Sequence, residues 1–66
     1  MQIKINGKDE LIERAADIAG LVEHKGLVAG KIVVEYNGRI VSHEEWAGIA
    51  LQEGDALEIV SFVGGG

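Results

Sequence analysis

The chain has 66 residues, 47% of them hydrophobic, with ten glycines and neither cysteine nor proline. A domain this short hides only about 60% of the surface its unfolded chain exposes, which argues against a second domain or an enclosed substrate cavity. The missing thiols exclude a disulfide framework, a cysteine nucleophile and a thiolate metal site. Six Lys and Arg against eleven Asp and Glu give a net charge of -5, the wrong sign for tracking a phosphate backbone, so no nucleic-acid partner is expected. Met1 leads into a polar, alternating segment rather than a basic stretch and an apolar run; the expectation is a cytoplasmic protein with no membrane association.

Ile3 and Ile5 alternate with Gln2 and Lys4, the period of a strand with one buried face. Asn6-Gly7 then marks a two-residue type I′ turn, because both central positions of that turn need positive φ. Lys8 to Glu13 would return as a short edge strand whose charges discourage pairing with another chain. Ile18, Leu21 and Val22 share one face of a helix of about two turns, with Asp17 as its cap and Gly26 just past its end. Lys31 to Tyr36 reads as a strand, Asn37-Gly38 as a second hairpin turn and Arg39-Ile40-Val41 as its return. Ser42-His43-Glu44-Glu45 has the S-x-x-E pattern of a capping box that starts a helical turn and lays Trp46 over the core. After a Gly54-Asp55 turn, Ala56 to Val63 forms the last and most apolar strand.

This order of elements predicts an α+β fold, with one helix packed across one face of a mixed sheet. Making the first and last strands neighbours completes a β-grasp over residues 1–63, with a flexible Gly-Gly-Gly tail at 64–66. The expected core is Ile3, Ile5, Ile18, Leu21, Val22, Val34, Ile40, Leu57 and Ile59. If Leu57 and Ile59 face the helix, Val60 and Phe62 must lie on the uncovered sheet face, where Val33 joins them. With Val63 they form a candidate partner-binding surface directly upstream of the tail. No lysine or arginine follows Arg39, whereas Glu44, Glu45, Glu53, Asp55 and Glu58 do, so this half should present a negative surface suited to basic rims.

Ordinary catalytic arrangements are absent from the sequence. Glu44 and Glu45 are sequence neighbours and do not face each other on a helical turn. Ser42 has a capping role, and the adjacent His43 is poorly placed to activate it. His24, near a helix end, complements the dipole. No catalytic residue and no metal ligand is assigned. What remains is Gly64-Gly65-Gly66, a run that chance would produce at one chain end about three times in ten thousand given an average glycine content of about 7%. Without Cβ atoms, glycines can thread a channel too narrow for side chains. The carboxylate they carry is ionised at pH 7 and inert as an acyl donor until activated, for example by adenylation.

The chain resembles the ThiS family of thiamine-biosynthesis sulfur carriers over its whole length, a resemblance that places the β-grasp in the ubiquitin-like group. The resemblance rests on Asn6-Gly7, Val34-Glu35-Tyr36-Asn37-Gly38, Ile40-Val41, Glu45-Trp46-Ala47, Leu51-Gln52-Glu53-Gly54-Asp55, Glu58-Ile59-Val60 and Phe62-Val63-Gly64-Gly65-Gly66. It implies that an E1-like, ThiF-like enzyme uses ATP to adenylate the carboxylate of Gly66. A sulfur donor such as a cysteine desulfurase persulfide then yields a thiocarboxylate, which a ThiG-like thiazole synthase consumes. The carrier would be a cosubstrate rather than an enzyme, would bind no cofactor itself and would be a monomer when free. Two other readings stay open: a MoaD-like carrier for molybdopterin, and a ubiquitin-like binding module that is never activated.

Overall fold

A computed structural model of the protein describes residues 1–13 and 17–62. Five strands form one mixed sheet: β1 (Gln2–Ile5), β2 (Lys8–Leu11), β3 (Ile32–Tyr36), β4 (Arg39–Val41) and β5 (Ala56–Ser61). They lie in the order β2-β1-β5-β3-β4. β1 runs parallel to β5, and every other neighbouring pair is antiparallel. One helix, α1 (Ile18–His24), covers one face, and a 3-10 turn at His43–Gly48 closes the core beside it. This is the expected β-grasp arrangement.

Both hairpins turn on asparagine-glycine pairs in which all four residues have positive φ: Asn6 at 53° and Gly7 at 81°, Asn37 at 49° and Gly38 at 87°. That is the type I′ geometry whose twist matches the flanking strands. The helix is capped by Asp17, whose Oδ1 accepts from the Gly20 N–H at 2.7 Å, and its start is fastened to the segment after the 3-10 turn by Ile18 N–H donating to Ile49 O at 3.2 Å. Seven residues do not make a stable helix alone; this one is held by burying Ile18, Leu21 and Val22. At Ser42 the box forms from the Glu45 side, its Oε2 accepting from the Ser42 backbone N–H at 2.8 Å and the hydroxyl at 3.1 Å. Trp46 is buried, with its indole N–H donating to Val41 O at 3.2 Å.

The core differs from the sequence expectation at β4. Ile40 is 67% exposed, whereas Val41 is buried. The two-residue turn explains why: it pairs Glu35 with Ile40 and Val34 with Val41, so the outward phase of Glu35 carries Ile40 outward too. Ile59 is only partly buried. Ile12, Ile32, Val41, Trp46 and Leu51 complete the core with the remaining seven residues expected there. β2 is shorter than expected, ending at Leu11, although Ile12 keeps the ladder alternation and points inward, its N–H donating to Met1 O at 2.8 Å and its C=O accepting from the Met1 amino group at 2.9 Å. The 1–63 boundary falls outside the described residues.

Candidate functional site

β5 is the central strand, and its two faces have separate roles. Leu57 points into the core and Ile59 packs against it, while Val60 is 58% and Phe62 44% exposed on the side away from α1. Val33, 41% exposed, sits directly opposite Val60 in the β3–β5 register. The three apolar residues expected on the open face are therefore brought together there. Ile40, assigned to the core by sequence, is a fourth exposed residue in the same phase, two strands from β5. The signal that could have placed it was the hairpin length, which fixes its partner as Glu35. Val63, Gly64, Gly65 and Gly66 lie outside the described residues.

Acidic groups border this apolar area, but not the whole expected set. Glu58 is exposed and stands opposite Glu35. Glu45 is spent on the Ser42 box and on an ion pair with Arg39 at 3.2 Å, and these partners, the Ser42 N–H foremost, hold its carboxyl below the usual range. Glu53 Oε1 accepts from the Gln2 N–H at 3.0 Å.

Asp55 is a correction: it is buried, only 8% exposed, and does not belong to the negative surface. The turn at Gly54, with φ 86°, folds it back beneath the second hairpin. There its Oδ2 accepts from the Tyr36 hydroxyl at 2.9 Å and the Gln52 N–H at 2.8 Å, and its Oδ1 from Asn37 Nδ2 at 3.2 Å. Burial alone would raise this carboxyl, yet the three donors outweigh it and leave Asp55 below its ordinary value. The same contact holds the Tyr36 phenol above its own.

The turn asparagines also tie the hairpins to β5. Asn37 Oδ1 accepts from the Ala56 N–H at 2.8 Å, at the start of the strand. Asn6 binds farther along: its Oδ1 accepts from the Ile59 N–H at 2.7 Å, and its Nδ2 donates to Ile59 O at 3.2 Å. Sequence reasoning saw both residues as turn chemistry and missed this second role.

The Ser42 hydroxyl donates to Glu45 Oε2 at 3.1 Å within the capping box, and His24 lies in the last turn of α1. His43 lies against Trp46, ring centroids 4.8 Å apart. Among the described residues, no group of three His, Asp or Glu could hold a metal ion, and no helix is long and apolar enough to cross a membrane. What the arrangement offers is an exposed apolar group, Val33, Val60 and Phe62, on the open face of the central strand.

The profile of the ThiS family matches residues 2–66. The chain is 29% identical to the crystal structure of a thiamine biosynthesis protein (ThiS) from Geobacter metallireducens, with a TM-score of 0.84 over the whole of both chains. A solution structure of a thiamine biosynthesis protein from the same organism gives 0.82 over all of this chain and 88% of that one, at 29% identity. Thiazole synthases of Magnetococcus marinus and Paramagnetospirillum magneticum are each 36% identical over 66 residues, all of this chain. The chain spans only 20% of those two relatives. The uncharacterized protein ycf40 of Trieres chinensis is 31% identical over 62 residues, 94% of this chain and 85% of that protein.

Proposed function

Because the chain belongs to the ThiS family, we propose that it carries sulfur on its C-terminal carboxyl group for formation of the thiazole ring of thiamine. A ThiF-like enzyme joins the Gly66 carboxylate to the AMP portion of ATP and releases pyrophosphate. A cysteine-desulfurase persulfide attacks the acyl carbon, AMP leaves, and a second thiol cleaves the resulting S–S bond to free the thiocarboxylate. Adenylation turns an unreactive carboxylate into a good electrophile, and the thiocarboxylate keeps sulfide nucleophilic yet tethered. Gly64 and Gly65 give the tail the narrow profile that access to a buried active site demands.

The observation that carries this reading is the family match across residues 2–66, which includes the glycine run. Two further features support it. Val33, Val60 and Phe62 form an exposed apolar group on the face of the strand that leads to the tail, where a solvated sheet would normally be polar. Relatives that contain a stretch like this chain are thiazole synthases, which supports a ThiG-like acceptor as the second partner.

The test is intact-mass analysis after incubation with ATP, a ThiF-type enzyme and a persulfide source. The expected product has one oxygen replaced by sulfur, on Gly66. A carrier whose mass never changes, and which yields no AMP, would refute the proposal and leave a docking module.

A further inference from the structure

The two sides of β5 are unequally occupied. On one side β3 accompanies it to Ser61, opposite Ile32, and Phe62 N–H still donates to Lys31 O at 3.0 Å. On the other side β1 pairs only as far as Leu57, whose carbonyl accepts from Asn6 N–H at 2.9 Å before the chain turns away. The Asn6 side chain then substitutes for the next peptide, satisfying both the N–H and the C=O of Ile59.

The next residue in phase is Ser61. In an antiparallel pair, bonded and non-bonded partners alternate. The bonds from Phe62 to Lys31 and from Asn37 to Ala56 therefore make Val60–Val33 and Glu58–Glu35 the bonded pairs between them. Ile59 and Ser61 consequently direct their N–H and C=O toward the β1 side. Those of Ile59 meet Asn6; those of Ser61 meet no partner among the described residues, and Ser61 is exposed. Among the described residues it is an open rung on a strand held extended by β3, flanked by exposed Val60 and Phe62. Unpaired ladder groups of this kind are a template for another strand.

We propose that an extended segment of the adenylating enzyme adds to β5 at Ser61, exchanging hydrogen bonds with its N–H and C=O. This inference rests on the carrier function proposed above. Only four residues lie between Ser61 and Gly66, so pairing here sets the register in which the tail enters the enzyme, as well as adding to affinity. A second copy of the chain is the poorer occupant. Antiparallel self-pairing about Ser61 would run each tail into the Asn6 side chain of the other molecule, and each copy carries a charge of -5.

Proline separates the backbone role from the side-chain role, since an edge strand tolerates it where the lost N–H faces outward. Ser61→Pro and Ser61→Ala are titrated against a ThiF-type enzyme, with circular dichroism and urea midpoints confirming the fold. Ser61→Ala should bind like the wild type, and Ser61→Pro should bind at least tenfold more weakly and give correspondingly less thiocarboxylate. Ser61→Pro binding within twofold of the wild type would overturn strand addition while leaving the carrier function standing. A wild type that never binds would overturn both. If the proline variant does not fold, amide exchange on the wild type decides: the Ser61 N–H should exchange fast when free and become protected in the complex. An amide that stays unprotected there, or that is protected only by self-association, refutes the proposal.

Discussion

Replacing Asp55 by asparagine tests whether a buried acid organises the junction between the second hairpin and β5. Two oxygens of Asp55 accept from three donors. An amide has one acceptor oxygen. Placed toward Tyr36 and Gln52, that oxygen keeps two bonds but sets the new NH2 against the NH2 of Asn37. Asn37 cannot flip to relieve this, because its Oδ1 already accepts from Ala56 N–H at 2.8 Å. One charge-assisted bond is lost and two become neutral; at about 1.5–3 kcal/mol for a bond to a charged group and about 1 for a neutral one, the cost is roughly 2.5–7 kcal/mol. A domain of this length has only about 3–10 kcal/mol in total.

The assay is urea unfolding followed by Trp46 fluorescence, comparing the variant with the wild type at several pH values. Folding lowers the Asp55 carboxyl, so its contribution is complete above the unfolded carboxylate range and is lost as pH falls through the lower folded value. The midpoint gap should therefore be widest near neutrality and close as pH drops below about 4. Tyr36 has the opposite sign. Its raised phenol contributes fully below about pH 10, and that part is lost as pH rises through the higher folded value. A gap that stays constant from pH 7 to pH 2, or an asparagine variant as stable as the wild type, would refute this account of Asp55.

Leu21→Ala removes a fully buried side chain of α1 and should cost about 2–5 kcal/mol; an unchanged denaturation midpoint would contradict the packing of α1. Val60→Ser and Phe62→Ser should leave the circular dichroism spectrum intact and weaken titrations against the activating enzyme and thiazole synthase, and affinity within twofold for both partners would remove this face from the interface. Gly65→Val should leave the fold untouched but block thiocarboxylate formation, since a β-branched residue narrows the backbone conformations open to the tail; a normal yield would defeat the threading argument. Removing Gly66, or extending the chain beyond it, should abolish sulfur transfer as read by intact mass.

Local signals in the sequence sufficed for most of the fold. The two asparagine-glycine turns, the Asp17 cap, the helix face and the Ser42 box each act within a few residues, and each appears where its chemistry requires. The error at Ile40 was of a different kind. Its information was present, since a two-residue turn pairs Ile40 with Glu35, but it had to be propagated across the hairpin rather than read from hydrophobicity. Leu51 had no such signal: it lies in an aperiodic segment after the 3-10 turn and is buried by tertiary packing. Asp55 was beyond reach because its burial depends on donors from Tyr36 and Asn37, which approach only once β3 and β5 pair. The exposed apolar face was legible because it follows from parity along one strand. The open rung at Ser61 was not, because it depends on where β1 stops against β5.

These long-range contacts make β5 the strand on which the core and the proposed docking face lie back to back. Its inward residue Leu57 belongs to the core, and it is fastened at its start by Asn37 to Ala56 and farther along by Asn6 to Ile59. Val60 and Phe62 project from the other face and stand outside the buried core. Substitutions there should change partner affinity with stability nearly unmoved, whereas Asn6→Ala should do both: it frees the N–H and C=O of Ile59 and removes the stop that confines the open edge to Ser61. Asn6→Ala would lower the urea midpoint modestly, by the roughly 1 kcal/mol per bond typical of neutral hydrogen bonds. It would also raise the amide exchange rate of Ile59 in the free protein. An Ile59 amide that exchanges equally slowly in the variant would mean that the asparagine side chain does not terminate the ladder, and the assignment of Ser61 as the next open position would fall with it.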